Sequence, residues 1–246
     1  MAPQHQQLPQ ARPDSSAGAA IYTPWFLKIY DFLLLRLANP LIWNFPAEQE
    51  LIPLLKSALI GSRHLDIGVG TGFYPAKALA STDRSACEHM TLVDLNPNAL
   101  TLAARTIRTA SRGEISVTTI QADILAPPLP PSVGGNYDSI SLFYLIHCLP
   151  GPSDAKIRAV ADAVAPLLAA GGTVVGATIL GRGKRLGWFP TLFRLLLNWL
   201  GVFGNLGDEE EVLVGGLRRR FREVVVWQVG AVMMFRARGA KSDGDL

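Results

Sequence analysis

Short apolar segments alternate along the chain with longer segments whose apolar residues recur at helical spacing. Helix-like segments separate the first five of the strand-like ones, which predicts a mostly parallel sheet with helices on both faces. The last two strand-like segments follow each other with almost no connection, which predicts an antiparallel hairpin at one edge. The predicted strands are Arg63–Val69, Met90–Leu95, Ser116–Asp123, Tyr137–Tyr144, Gly172–Leu180, Glu223–Val229 and Gly230–Arg238.

Two of the predicted helices begin with recognisable signals. Asn96 followed by Pro97 is typical of an N-cap and a first helical position, and Ser153 is predicted to cap the helix that follows it. In that second helix, apolar residues at helical spacing predict a face that packs against the core. The residues on that face are Ile157, Val160, Ala161 and Val164.

The pattern as a whole predicts the α/β class, with a doubly wound, Rossmann-like, seven-stranded sheet in one domain over residues 21–238. Residues 21–60 are expected to form a helical cap, and residues 181–206 are expected to form an insertion after the fifth strand, on the substrate side. The polar and small residues of 1–20 and 239–246 predict two disordered tails.

The insertion contains the most apolar stretch of the chain. Its length approaches a membrane span, but a central Arg194 would cost about 2.5–3.5 kcal/mol to insert, so membrane association through residues 186–204 is not favoured. Thr191, Arg194 and Asn198 form a narrow polar stripe on this predicted helix. Such a helix is expected to be buried, to cover an apolar ligand or to dock on a partner.

Composition narrows the class of protein. Of the 246 residues, 49% are hydrophobic and 17% are charged, which favours a folded domain over disorder. The net charge of +3 does not call for a nucleic-acid partner. Cys87 and Cys148 lack the spacing of a zinc site or a disulfide scaffold, and no secretory signal opens the sequence, so a cytoplasmic, metal-free protein is expected.

The residues most informative about chemistry are DIGVGTG, residues 66–72, at the end of the first strand. A glycine-rich turn before a helix lets a ligand approach backbone N–H groups. The dinucleotide fingerprint would need glycine at position 73, which is Phe73, so NAD is disfavoured. Asp66 would repel a pyrophosphate but suits an ammonium or sulfonium ligand, which points to S-adenosylmethionine.

Two more carboxylates end the next two strands. Asp94 is placed to accept hydrogen bonds from both ribose hydroxyls, and Asp123 is placed beside the adenine. The alternatives are a helix-capping acid for Asp94 and a solvated strand-end acid for Asp123.

With these motifs in order, residues 63–238 resemble the class I S-adenosylmethionine-dependent methyltransferases. The matching segments are DIGVGTG, LVDLNPNAL, QADI, YDSISLFYLIHCLPG and PLLAAGGTVV. The resemblance implies that the glycine turn holds the methionine part of the cofactor, Asp94 its ribose and Asp123 its adenine amino group. The implied cofactor-binding set is Asp66, Gly68, Gly70, Gly72, Asp94, Leu95, Asp123, Ile124 and Phe143.

Residues 21–46 and the HCLPG segment look more specifically like small methyltransferases of fungal and bacterial specialised-metabolite clusters. This likeness implies O-methylation of a small, largely apolar molecule. His147 follows the fourth strand and is a candidate general base, with a structural histidine as the alternative. Tyr22, Tyr30 and Trp43 are candidates for contact with the sulfonium, with helix packing as the alternative.

Other functions stay open at this point. Some proteins of this fold keep the cofactor but catalyse a cyclisation or dehydration. An RNA or protein methyltransferase is a further alternative, although the fourth motif reads SLFY rather than NPPY. Nucleic acid is not expected as a partner, and a homodimer is possible.

Overall fold

The computed structural model describes residues 39–81, 86–183, 187–242 and 244. Within these ranges the strands form one sheet in the order β3-β2-β1-β4-β5-β7-β6. The strands are β1 (Arg63–Ile67), β2 (His89–Asp94), β3 (Ser116–Gln121), β4 (Tyr137–Phe143), β5 (Leu168–Ile179), β6 (Phe221–Val229) and β7 (Val232–Ala240). The first five strands are parallel, and β7 pairs antiparallel with both β5 and β6. The predicted fold class, including the C-terminal hairpin, is confirmed.

Helices cover both faces of the sheet, because both faces carry apolar side chains that must be removed from water. The longer helices are α1 (Ala47–Lys56), α2 (Phe73–Ala80), α3 (Pro97–Ala110), α4 (Ser153–Val164), α5 (Trp188–Trp199) and α6 (Glu210–Arg220). Short helical turns lie at Asn39–Leu41, Pro131–Val133, Ile146–Cys148 and Ala165–Leu167. The first core is built from α1, α2 and α3, and the second from α4 and α6.

Most strand ends differ from the prediction by one or two residues, and the start of β5 differs by more. β5 begins at Leu168, four residues early, because Leu168 pairs with Tyr137 before a register shift that accommodates the glycines. β7 ends at Ala240 rather than Arg238, since its last residue pairs with Phe221 of β6. Residues 239 and 240 therefore belong to the sheet and not to a C-terminal tail.

One of the two predicted helix caps is confirmed and the other is wrong. The side chain of Asn96 accepts the first backbone N–H groups of α3, and Pro97 is the first residue of that helix. In α4 the N-cap is Pro152, and Ser153 is already helical. The hydroxyl of Ser153 instead donates to a carboxylate oxygen of Asp208 at 2.5 Å. A charged acceptor binds a hydroxyl more strongly than backbone amides do, so the hydroxyl is drawn away from the cap position.

The same Asp208 forms a buried ion pair that ties the residues after the insertion to helix α4. Its Oδ2 lies 2.8 Å from Nζ of Lys156, and both side chains are almost fully buried. The backbone carbonyl of Asp208 accepts from the N–H groups of Gly181 and Arg182, just after β5. The ammonium of Lys156 also donates to the carbonyl of Gly204 at 2.8 Å. The backbone carbonyl of Asp208 therefore holds the start of residues 181–206, and the ammonium of Lys156 holds their end.

Lys156→Met should lower the free energy of unfolding by about 3–5 kcal/mol, because it leaves the buried carboxylate of Asp208 without its counter-charge. The matched control is Arg158→Met on the same helix, where the pair with Asp154 is largely exposed and a change below about 1 kcal/mol is expected. Urea unfolding of both variants measures the two values. Equal small changes would contradict a stabilising role for the buried pair.

Candidate functional site

The loops that follow β1, β2, β3 and β4 all lie at one edge of the sheet, because these strands are parallel. The strand order reverses between β1 and β4, and open α/β sheets bind ligands at such a reversal. Every residue of the predicted cofactor set lies at or just before this carboxyl edge, as does the candidate base His147. The fold thus gathers residues that are far apart in sequence.

The glycine turn has the geometry of a backbone cradle. Gly68, Gly70 and Gly72 all have positive φ angles, of 74°, 54° and 74°. A Cβ at Gly72 would lie 2.9 Å from the Cα of Ala103, so glycine is what allows α2 to start against α3. A Cβ at Gly70 would meet nothing within 4 Å. The turn therefore leaves open space beside the N-terminus of α2, where a ligand can reach backbone N–H groups.

Asp94 connects this turn to the next loop. One of its carboxylate oxygens accepts the N–H of Asn96 at 2.9 Å, and the other accepts the N–H of Gly70 at 3.4 Å. Burial raises the pKa of Asp94, and hydrogen bonds from the backbone oppose that shift. The capping role that was the alternative for this residue belongs to Asn96, so the partly exposed carboxylate of Asp94 is held at the mouth of the cradle.

The other residues of the predicted set line the same edge. Asp123 lies past the end of β3, where its side chain accepts the N–H of Leu125 at 2.9 Å and closes a tight turn. Ile124 is buried in the second core, and Leu95 is half-buried. Phe143 ends β4 and packs edge-on against Tyr74, with ring centroids 5.8 Å apart. An adenine contact for Asp123 and its apolar neighbours stays a prediction.

Behind Asp66 lies a chain of polar side chains that the sequence reasoning missed. Ser141 donates to Oδ1 of Asp66 at 2.5 Å. Nε2 of His64 lies 2.9 Å from the hydroxyl of Ser141, and its Nδ1 lies 2.7 Å from the hydroxyl of Ser139. All four residues are buried. The available signal was serine at alternate positions of an otherwise apolar strand, with a histidine two residues before Asp66.

Burial raises the pKa of Asp66 from 3.8 to about 7; the hydrogen bond from Ser141 opposes this shift, and the charge of Asp94 adds to it. A carboxyl group with this pKa is ionised at neutral pH only in part, and an adjacent cation would complete its ionisation. The site is therefore suited to a cationic ligand. In the folded protein without such a ligand, the buried charge is destabilising.

Asp66→Asn should make the ligand-free protein more stable than the wild type at pH about 8, and the gain should shrink as the pH falls from about 7 to about 4. The sign follows from the raised pKa: Asp66 stabilises the fold when protonated, below the unfolded pKa, and loses that contribution as pH rises through the folded pKa. Thermal unfolding at several pH values measures the difference. Glu114→Gln, at an exposed position, is the control. A pH-independent difference for Asp66→Asn would contradict this account.

His147 lies where the sequence placed it, just past β4, but its surroundings are those of a structural histidine. It is 2% exposed, and its Nδ1 faces the backbone N–H of Ile179 at 3.4 Å. Burial lowers the pKa of His147 to about 3, and the charge of Lys156 adds to the effect. A base at neutral pH needs an accessible lone pair and a pKa nearer neutrality. Its predicted catalytic role stays a prediction, and the contacts favour the structural alternative.

Helix α5 of the insertion turns polar side chains toward the protein and apolar side chains toward solvent. None of its residues is buried, so of the three alternatives the buried helix is excluded, and a cover for an apolar ligand or a docking surface stay predictions. Arg194 donates to the carbonyls of Leu180 and Gly181, and Asn198 exchanges hydrogen bonds with Asn205. The polar stripe thus faces the protein because unpaired backbone carbonyls after β5 need donors. The exposed apolar side chains are Trp188, Phe189, Leu192, Leu195, Leu196 and Trp199.

Of the three aromatic residues considered for a sulfonium contact, only Trp43 lies within the described residues. Its ring is buried between Phe193 and Phe203, with centroids 6.1 Å from each. This arrangement is helix packing, the alternative interpretation. Among the helices the structure describes, none combines the length and the apolar character that crossing a membrane requires.

Comparison with known proteins gives consistent matches. Residues 65–174 match a family model described as a methyltransferase domain. The chain is 37% identical over 254 residues to the O-methyltransferase NEC2 of Pyricularia oryzae, covering 93% of this chain and 94% of that protein. It is 38% identical over 230 residues to the physcion biosynthesis cluster O-methyltransferase of Aspergillus chevalieri, covering 94% and 98%.

A solved structure with a similar fold is the N-methyltransferase NodS of Bradyrhizobium japonicum in complex with S-adenosyl-L-homocysteine. The TM-score is 0.54 at 20% identity, and the match covers 80% of this chain and 89% of that one. At this identity the likeness concerns the fold alone.

Proposed function

This chain belongs to the class I methyltransferase family, and from that premise we propose that it transfers a methyl group from S-adenosylmethionine to a hydroxyl group of a small, largely apolar molecule of specialised metabolism. The observation that carries the proposal is the glycine cradle at the reversal of the sheet, flanked by the carboxylates of Asp66 and Asp94. Open space, backbone N–H groups and negative charge occur there together.

The residues present fit the cofactor's parts. Asp66 would pair with the ammonium of the methionine part, beside Gly68, Gly70 and Gly72. Asp94 would accept the ribose hydroxyls, and the turn at Asp123 would meet the adenine amino group. The apolar side chains of Leu95, Ile124 and Phe143 would pack around these polar contacts.

When bound, the cofactor would supply a methyl group on a positively charged sulfur, and the sulfur would keep the electrons of the carbon–sulfur bond when the methyl group passes to the acceptor oxygen. Because this leaving group is already reactive, the protein mainly aligns the acceptor and keeps water out. A hydroxyl acceptor also loses its proton, which passes to bulk water either before the acceptor binds or as the ether product leaves. Because His147 is buried and its pKa is lowered, it is unsuited to accept that proton. The chain therefore contributes mainly by aligning the acceptor.

A series of aromatic contacts supports an apolar acceptor. Tyr144, just after β4, packs against His147, with centroids 5.7 Å apart, and His147 packs against Phe203 at 4.6 Å. Phe203 contacts Trp43, which contacts Phe193 of α5. This row leads from the carboxyl edge to the insertion. Its middle is buried, but Tyr144 and Phe193 at its two ends are half-buried, and a hydroxylated aromatic molecule would find apolar surface there. Two related proteins are named as O-methyltransferases, which supports oxygen as the accepting atom.

The activity itself can be tested with a panel of acceptors. The purified protein, methyl-labelled S-adenosylmethionine and separate phenols, carboxylic acids and amines are incubated, and both the labelled product and S-adenosylhomocysteine are measured. Methylation of a phenol with an equal amount of S-adenosylhomocysteine supports the proposal. Labelled amine products would move the acceptor from oxygen to nitrogen. Chemical change of a compound without S-adenosylhomocysteine would support a cyclase or dehydratase instead.

Cofactor binding can be tested separately. We expect calorimetry to show micromolar affinity for S-adenosylhomocysteine, about 7–9 kcal/mol. Asp94→Ala should weaken it by at least about tenfold, because hydroxyls that lose a charged acceptor lose about 1.5–3 kcal/mol. Asp154→Ala, an exposed carboxylate on α4, is the control. Tight NADH binding with no affinity for S-adenosylhomocysteine would contradict the cofactor assignment.

A further inference from the structure

The centre of the sheet contains polar side chains where apolar ones are expected. Strands β1 and β4 are covered on both faces, and such strands are normally apolar throughout. Yet His64 and Asp66 of β1 lie on one face with Ser139 and Ser141 of β4, because alternate residues of a strand share a face. The register pairs His64 with Ser139 and Asp66 with Ser141. None of the four side chains is more than 4% exposed.

When Asp66 is ionised, hydrogen-bond chemistry fixes the direction of every bond in this row of side chains. Ser141 has one hydroxyl proton, and it donates to the carboxylate of Asp66. Nε2 of His64 must therefore carry a proton and donate to Ser141, at 2.9 Å. A neutral imidazole then has a lone pair on Nδ1, which accepts the hydroxyl of Ser139 at 2.7 Å. The ionised carboxylate of Asp66 is the stronger acceptor for the last of these hydrogen bonds, so this set of proton positions favours its ionised form.

We propose that His64, Ser139 and Ser141 are positioning residues, which fix the side-chain orientation of Asp66 and favour its ionised form toward the ammonium group of the cofactor. The inference rests on the proposed function, since it concerns how the same cofactor is recognised. None of the three residues touches the cofactor in this account. They act through Asp66, whose carboxylate oxygen receives the last hydrogen bond of the chain.

A neutral histidine suits this role better than a charged one. Burial lowers the pKa of His64 to about 3, so the imidazole stays uncharged at neutral pH. It passes on a hydrogen bond without adding a positive charge near Asp66. An imidazolium or a lysine at this position would neutralise the carboxylate and reduce its attraction for an ammonium group. The hydrogen-bonded side chains therefore orient Asp66, and the negative charge of Asp66 remains available to attract the ligand.

The first test removes the link to Asp66 with Ser141→Ala and compares two ligands by calorimetry. S-adenosylhomocysteine carries the ammonium group, whereas 5′-methylthioadenosine lacks the whole amino-acid end. We expect Ser141→Ala to weaken the first by about tenfold or more and the second by less than about twofold. The matched control is Thr173→Val, a buried hydroxyl on β5 that donates only weakly, to the carbonyl of Ala237. It should change neither affinity.

The outcomes test the proposed function and the positioning role separately. Wild-type protein that binds neither ligand overturns the proposed function. Wild-type protein that binds both, with Ser141→Ala unchanged or weakened equally for both, overturns the positioning role and leaves the proposed function intact. Only a selective loss of S-adenosylhomocysteine affinity in Ser141→Ala supports both the proposed function and the positioning role.

The second test examines His64 and does not depend on Ser141→Ala folding. Nitrogen NMR of the wild type with S-adenosylhomocysteine should show the Nε2–H tautomer of His64, and the Nδ1–H tautomer would overturn the proposal. His64→Gln keeps a donor near the Nε2 position and should restore most of the affinity that His64→Leu loses. Equal affinity of the two variants would show that the imidazole acts only as packing.

Discussion

The parallel pairing of β1 with β4 is the contact on which the candidate site depends. These strands are neighbours in the sheet although their paired residues are 75 positions apart, for example Asp66 and Ser141. The pairing sets the point where the sheet reverses and brings the glycine turn beside the loop after β4. A Cβ at Gly68 would lie 2.8 Å from Leu145, which shows how closely the two loops approach. A shift of one residue would turn His64 and Asp66 to the opposite face.

The parts of this site that the sequence predicts are those encoded by neighbouring residues. The glycines of residues 68–72 need positive φ angles, Asp94 follows an apolar strand, and Asn96 with Pro97 starts a helix; each signal lies within a few positions. Apolar periodicity is equally local, so the order of strands and helices could be predicted. Even there, strand ends moved by up to four residues, because pairing with a distant strand decides where a strand begins.

The parts that the sequence does not predict depend on partners far away along the chain. Ser153 leaves its helix cap for Asp208, 55 residues later, and no local pattern contains that choice. The polar stripe of α5 was compatible with several orientations, and the carbonyls after β5 decide among them by accepting from Arg194. The same holds for His64: a histidine in a strand has no evident role until β4 places two serines at its ring nitrogens.

Asp66 shows why a stable fold and a useful site make opposite demands at this edge. A fold selected for stability alone would place an apolar residue at this buried position, because an isolated charge is costly there. The chain keeps the carboxylate and surrounds it with neutral hydroxyl and imidazole donors, which satisfy hydrogen bonds without removing the charge. The unfavourable burial of that charge is then offset when a cation arrives. Polar residues in the middle of an apolar sheet are thus a physical mark of ligand recognition.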